Sequence, residues 1–485
     1  LNKDKQKGIE AFVKPRSVAV IGASDRPGSW GSFIMEGLLT WKFPGRIYPV
    51  NHRAETVFGI PAYHHISSIP DEVDLVVLTI PAESVHETIQ ACAAKGVKGI
   101  TIITAGFSEA AKEGREREEE LARLARTHGM RLLGPNVSGT FNLHDRFNAS
   151  ASPARFLFPT MITAICQGGY AIYDLMAGAF AKQMGVGQFI HTGNECDLQV
   201  ADFLEYFGED PQTRVILMYI ETIRDVARFR KVAAEVTKRK PVIVYKGGCT
   251  PGGTRAARSH TGAMAGGGEI YAALFRQLNV IQSPTMELMI PLAHAFLEFP
   301  PMMGNRVGIV TMGGSWGVAL TDTLEKKGLK VPELSPTLQK RLREMGMPIR
   351  ASTRNPIDIG AAGPLTLSVE ILVEMGREIL QSHEVDALIL HGLGRPGMVS
   401  ENPPPARKFM LEWEKRLMKE YYCLMDEVAK PVLLGCHLLP WQSQAVHDLT
   451  QEGCRIFHRL DEIADILALR SLYQRRLKQQ AAETA

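Results

Sequence analysis

Apolar residues in this chain cluster in short runs. Between the runs they recur at helical spacing. The runs at residues 17–21 (SVAVI), 46–50 (RIYPV), 75–80 (LVVLTI), 99–103 (GITII) and 131–133 (RLL) read as buried strands. Helical patterns at about 32–41, 84–95 and 111–127 lie between them, and this alternation predicts a parallel sheet covered by helices. A second series follows at 160–165, 188–191, 214–220 and 241–245, with helices from 170 to about 183 and over 269–278. Pro300, Pro301 and Gly304 mark a linker. Beyond it, 306–311, 385–390, 431–436 and 455–457 predict a third set of strands in flavodoxin-like order, with a final helix past Asp461. The class is α/β, in three domains at about 8–145, 155–299 and 303–470. The charged helices near 111–127 and 407–427 read as solvated outer faces.

Strand ends carry the candidate chemistry, because open α/β sheets bind ligands beyond the carboxyl ends of their strands. Gly22, Asn51, Pro81, Thr104 and Asn136 all fall at such ends in the first series, on one rim. The first turn, Gly22-Ala23-Ser24-Asp25-Arg26, leads toward a helix whose N-terminus attracts phosphate. It is not GxGxxG. The basic Asn51-His52-Arg53, where a nicotinamide-binding domain carries an acid, suits a ligand with an extra phosphate and equally suits a solvated loop. Gln167-Gly168-Gly169-Tyr170 repeats the arrangement and offers a second phosphate seat. Glu221 closes the run 214–220. It is either a rim carboxylate able to orient a histidine or a surface carboxylate paired with Arg224. The stretch 246–268 (KGGCTPGGTRAARSHTGAMAGGG) reads as a glycine-rich loop. Its N–H groups, with Arg255 and Arg258, could face an anion near His260. The same pattern also fits a surface loop whose histidine donates one hydrogen bond.

Composition narrows the classes. The chain has 485 residues, enough for about three domains. Its net charge of +3, from 55 basic and 52 acidic residues, gives no reason to expect nucleic acid or an anionic membrane as partner. No apolar run is long enough to span a bilayer, and the opening LNKDKQKG lacks the apolar core of a signal peptide. Seven scattered cysteines without a CxxC pair point to no zinc site, no disulfide framework and a reducing cytoplasm.

Arg258-Ser259-His260-Thr261-Gly262-Ala263, followed by Ala265-Gly266-Gly267, resembles the phosphohistidine loop of the NDP-forming acyl-CoA synthetases, relatives of the succinyl-CoA synthetase α subunit. Gly22-Ala23-Ser24, Tyr48-Pro49-Val50-Asn51, Ile80-Pro81-Ala82, Thr104-Ala105-Gly106-Phe107 and Gly134-Pro135-Asn136 resemble that family's CoA-binding domain, in order. The resemblance covers about residues 10–290, and Asn355-Pro356-Ile357-Asp358 resembles a segment of the family's extra domain. It implies a Rossmann-like CoA-binding domain followed by two flavodoxin-like doubly wound domains.

Several further expectations come with it. The chain is an α subunit acting on a small carboxylic acid. CoA and phosphate are its ligands, while ATP or ADP and Mg2+ sit on a separate ATP-grasp β subunit, in a heterodimer or α2β2 complex. His260 is the phosphoryl carrier, and Glu221 holds its other ring nitrogen. Gly22, Ser24, Arg26, Asn51, Pro81, Thr104, Gly106 and Asn136 contact CoA. Gly168, Gly169, Arg258 and Gly262 seat phosphate. The chain departs from the family pattern at Gly168, where a serine is usual, and at Val137, where a cysteine is common. Rival readings are a non-catalytic CoA or acyl-CoA sensor and an NAD(P)-dependent oxidoreductase.

Overall fold

The structure is a computed structural model that describes residues 3–111, 113–261, 267–361, 366–394 and 405–484, with only the backbone of 3–7, 170, 258–261, 361, 405–407 and 483–484. It forms two compact units, Leu1–Ala293 and His294–Ala485. In the first unit, β1 (Ser17–Ile21), β2 (Arg46–Val50), β3 (Leu75–Leu78), β4 (Gly99–Ile102) and β5 (Arg131–Leu133) form a parallel sheet in the order 2-1-3-4-5. A hairpin follows, β6 (Gly139–Asn142) and β7 (Phe147–Ser150). Next come β8 (Ile162–Cys166), β9 (Gln188–His191), β10 (Val215–Ile220), β11 (Val242–Lys246) and β12 (Ile281–Gln282). These five are parallel and wound in the same order, and the hairpin extends the β9 edge antiparallel. In the second unit, β13 (Val307–Thr311), β14 (Ile357–Asp358), β15 (Ala387–His391), β16 (Val432–Gly435) and β17 (Ile456–Phe457) repeat that winding a third time. Strand cores such as Ile-Thr-Ala-Ile-Cys in β8 are buried throughout, as parallel strands covered on both faces require.

The first two sheets share a core. Val18, Val20, Ile34 and Leu38 belong to one continuous apolar cluster with Phe147, Ile165, Ile190 and Phe203. Their carboxyl ends are also stitched together by main chain. Cys196 N–H donates to the Gly134 carbonyl (3.0 Å), Asn194 N–H to Pro135 (3.0 Å) and Leu198 N–H to Leu132 (3.2 Å). Beside this seam Arg131 grips the buried Asp197 carboxylate with two bonds of 2.8 and 3.1 Å.

The sequence pattern does not announce the hairpin, the helix Lys3–Val13 or the short strands β12 and β14. A further difference is a correction. The glycine-rich stretch after β11 is not all loop, because Pro251–Thr261 is an α-helix. Thr250 Oγ1 accepts from Gly253 N–H (3.0 Å) as an N-cap, and Pro251 opens the helix with its φ already set. Arg255, Ala256, Ala257 and Arg258 then supply helix propensity that outweighs Gly252 and Gly253. Gly262 lies outside the described residues.

The turn after β1 is closed tightly. Gly22 has φ +91°, and Thr79 Oγ1 lies 3.1 Å from both the Ile21 and Gly22 carbonyls. The helix Trp30–Thr40, capped by Ser29, starts so close that a Cβ on Gly31 would stand 2.1 Å from the Gly22 oxygen. Backbone cannot yield as a side chain can, so Gly31→Ala should destabilise the first unit by about 2 kcal/mol or more. Urea denaturation checks this; parent-like stability in the variant would show a helix start free to lift away.

Candidate active site

The seam brings the rim of the first sheet against that of the second, and a cavity of about 380 Å³ opens between them. From the first rim it is lined by Thr79, Ile80, Thr104 and Asn136, with Trp30 at its lip. From the second come Ser138, Gln167, Gly169, His191 and Asn194. Thr104 Oγ1 donates to the Ile80 carbonyl (2.6 Å), and Asn136 sits at φ +62° with its N–H on the Thr104 carbonyl.

The 104–107 loop is fixed from below. Glu109 accepts from Gly106 N–H (2.5 Å) and Phe107 N–H (3.2 Å). The Asn194 carboxamide bonds both Glu109 and the buried Glu118. Burial raises the Glu109 pKa, but the bonds from Asn194 and the backbone win and hold it below the ordinary value.

The remaining first-rim candidates organise the rim itself. The Asn51 carboxamide donates to the Ala23 carbonyl (2.8 Å) and accepts from Arg53 and Ala54 N–H. Ser24 Oγ accepts from Arg26 N–H (3.0 Å), while the Arg26 side chain and Pro81 are exposed. Of the eight CoA candidates, only Thr104 and Asn136 line the cavity; Gly22, Ser24, Arg26, Asn51, Pro81 and Gly106 lie outside its lining.

His191 closes the far wall. Its Nδ1 accepts from Ser138 N–H at 2.7 Å, and its Nε2 lies 2.9 Å from the Gln167 carbonyl. A backbone N–H can only donate, so Nδ1 carries no proton and Nε2–H donates: the ring is a neutral imidazole of one tautomer. Ser138 Oγ is 2.9 Å from both Nδ1 and the Tyr173 hydroxyl. A Cβ on Gly169 would stand 2.4 Å from Ser138 Oγ and 2.6 Å from His191 Nδ1, so only glycine fits.

A second cavity, of about 460 Å³, also borders Gly169. Gly168 and Glu221 line it, as do Gly253, Ala256 and Ala257 of the helix that carries His260 one turn further on. Glu221 is 4% exposed and accepts from the Tyr219 hydroxyl at 2.9 Å. Burial and the adjacent carboxylate push the Tyr219 pKa up, so the phenol stays a donor. The alternative of a surface pair with Arg224 is corrected here: Glu221 is buried, and Arg224 donates to the Asn194 carbonyl (2.5 Å). Gln167 joins the two cavities. Its Oε1 accepts from Glu221 N–H (2.6 Å) and Thr222 N–H (3.0 Å), and its Nε2 donates to the Thr222 carbonyl (2.8 Å). Lys246 is buried over the Tyr271 ring at 4.4 Å, and burial lowers its pKa against the field of Glu221. Arg258 and His260 lie in the helix Pro251–Thr261, with side chains outside the described part. Among the described residues no group of three or more His, Cys, Asp or Glu could hold a metal ion, and no helix is long and apolar enough to cross a membrane.

Residues 16–141 match the CoA binding domain family, and residues 159–296 match the family described as succinyl-CoA ligase like flavodoxin domain. The α subunit of ADP-forming acetate–CoA ligase II from Pyrococcus furiosus is 39% identical over 389 residues, 79% of this chain and 81% of that protein. The ADP-forming acetate–CoA ligase of Methanocaldococcus jannaschii is 36% identical over 353 residues, 72% of this chain but 49% of that protein. The structure of acetyl-coenzyme A synthetase 1 of Ca. Korarchaeum cryptofilum, with phosphate and ADP, superposes with a TM-score of 0.84 at 31% identity and covers 98% of each chain. A CoA-binding domain followed by a succinyl-CoA-ligase-like domain defines an acid–thiol ligase. The chain belongs to the NDP-forming acyl-CoA synthetases, as an α subunit.

Ser138, Gln167, His191 and Asn194 are the residues that reading the first rim alone misses. For Gln167, His191 and Asn194 the signal is the same strand-end position, applied to the second sheet; Ser138 precedes β6 and carries no such signal. Glu195, next to Asn194, is fully buried at φ +55° and accepts from Thr192 Oγ1 (2.9 Å) and Val200 N–H (3.2 Å). Burial outweighs these bonds and pushes its carboxyl from 4.5 up to about 7. The folded pKa lies above the unfolded one. This group's contribution therefore favours folding below about pH 4.5 and is lost as pH rises through about 7. Glu195→Gln should remove that loss and gain on the parent by roughly 3 kcal/mol between pH 4.5 and 8. Denaturation midpoints measured across this range check it; parallel curves would contradict it.

Proposed function

We propose that His260 carries a phosphoryl group between an acyl phosphate and a nucleoside diphosphate, with Glu221 accepting from the far N–H of its ring. CoA lies along the first rim, near Gly22, Ser24, Arg26, Asn51, Pro81, Thr104, Gly106 and Asn136, with its thiol end in the first cavity. Phosphate rests at the Gly168-Gly169 turn, aided by Arg258 and Gly262. A phosphate oxygen bonds the thioester carbonyl carbon, the C–S bond breaks, and CoA leaves with a proton as the thiol. An unprotonated nitrogen of His260 then bonds phosphorus, the acyl P–O bond breaks, and the carboxylate departs. The terminal oxygen of the nucleoside diphosphate takes the phosphoryl group, the N–P bond breaks, and imidazole returns. Such transfers depend on positioning and charge stabilisation, which a helix N-terminus and an arginine provide.

One observation carries this reading. The buried Glu221 carboxylate, the glycine turn at the head of helix Tyr170–Phe180 and the helix bearing His260 all border one cavity, and that cavity shares Gly169 with the one on the CoA-domain rim. A division into three domains at 8–145, 155–299 and 303–470 goes with it, one doubly wound sheet to each. Nucleotide and Mg2+ belong to an ATP-grasp β subunit. In support, the P. furiosus relative is itself named a subunit, and about half of the M. jannaschii ligase lies outside its match. A cytoplasmic site agrees with seven free thiols. Gly168, in place of a hydroxyl donor, favours a second reading, a CoA sensor without turnover.

With its ATP-grasp partner and γ-labelled ATP, the chain should acquire acid-labile, base-stable label at His260. His260→Ala should abolish labelling, and Glu221→Gln should slow it about a hundredfold. A chain that binds CoA yet takes no label would favour the sensor.

A further inference from the structure

We propose that His191 is a positioning residue for phosphate: through the Gln167 carbonyl it aims the Gly168 N–H into the second cavity. This rests on the phosphoryl-transfer reading of that cavity and adds to it a residue from the wall of the other.

Gln167 is held firmly as far as its own Cα. Its N–H donates to the Tyr219 carbonyl (2.9 Å), and its side chain bonds the main chain of Glu221 and Thr222. The next peptide plane joins Gln167 to Gly168, and neither glycine of the turn has a side chain to set its rotation. His191 sets it instead. Ser138 N–H occupies Nδ1, so the neutral ring has one N–H to give, and Nε2–H gives it to the Gln167 carbonyl at 2.9 Å.

That peptide is trans, and in a trans peptide the carbonyl and the following N–H point in opposite directions. Gln167 and His191 line the first cavity, whereas Gly168 lines the second and not the first. With its carbonyl drawn to the His191 ring, the peptide presents the Gly168 N–H to the second cavity. Among the described residues no hydrogen bond takes up that N–H. It stands just before the helix Tyr170–Phe180, at an end where an anion is favoured. At the position where a serine is usual in the family, an N–H braced from the other cavity supplies the donor.

Two substitutions separate the ring's two bonds. In His191→Gln the side-chain NH2 stands as many bonds from Cα as Nε2 does, and it keeps the Gln167 carbonyl. In His191→Asn the side-chain oxygen matches Nδ1 and keeps only Ser138. Each variant loses one buried bond, so their urea midpoints should fall alike. Inorganic phosphate, titrated into the full chain and followed by phosphorus NMR, should bind His191→Gln within about twofold of the parent and His191→Asn about tenfold more weakly. With the ATP-grasp partner present, the rate of labelling at His260 should show the same contrast. Equal phosphate affinities in the two variants, or no phosphate binding by the parent, overturn the positioning role, and labelling of the parent would then leave the phosphoryl carrier standing. A split in phosphate affinity with no label on the parent overturns the carrier and leaves His191 in its role.

Discussion

The site depends on the seam between two loops. The segment after β5 and the segment after β9 pair through main-chain bonds at Gly134, Pro135 and Leu132, flanked by the bidentate Arg131–Asp197 pair. Each bond is individually modest, on the order of 1 kcal/mol net. Asp197, however, is almost wholly withdrawn from water, so loss of Arg131 would leave that buried charge to Arg126, 3.7 Å away, and to the Leu132 N–H. The seam therefore fixes the distance between the two rims. Without it the first cavity has one wall, and the rim of the first sheet has no fixed relation to the Gly168-Gly169 turn.

The seam also determines what the histidine beside it can do. Ser138 directly follows the stitched loop, and its amide points at His191 Nδ1. A proton on that nitrogen would face another N–H, so the ring is held neutral and serves as a strut. Its Nε2–H holds the Gln167 carbonyl, and the Gln167 carboxamide holds the backbone of Glu221 and Thr222. One residue thus transmits the position of the first cavity to the second. Gly169 is glycine for the same reason: the space a side chain would need is already taken by the Ser138–His191 pair.

Strands and rims are legible in the sequence because parallel strands buried on both faces are unbroken apolar runs and the rim residues follow them directly. Asn136, Thr104, Gly169 and Glu221 are found this way. What escapes does so for physical reasons. The β6–β7 hairpin pairs at an edge, where its polar Thr140, Asn142 and Asn148 are buried by hydrogen bonding and leave no apolar period. The helix at Pro251 is hidden by Gly252 and Gly253, and a single threonine caps its start. The burial of Glu221 is set by Tyr219 and Gln167, and Gln167 is more than fifty residues away in sequence. Only the fold brings those groups together.

The same winding occurs three times, yet it does not set the chemistry three times. Each sheet starts a helix at a glycine turn beyond its first strand: Gly22, Gly169 and Gly313. What stands beside the turn differs. After β3 it is Thr79, whose hydroxyl ties down the Gly22 carbonyl. Beside the turn after β8 the neighbour is His191, the last residue of β9, fixed as a donor to Gln167. In the second unit β15 ends in His391, buried against Trp316 at 4.8 Å between ring centres. Burial lowers its pKa to about 4, with a smaller push from His437, so it is uncharged at neutral pH. A helix start thus offers partial positive charge in all three places, while the neighbouring strand-end residue decides whether the turn is tied down, braced or left beside a neutral ring. Glycine turns taken alone therefore overstate the number of anion seats, and the strand-end neighbour is the better guide to where chemistry can occur.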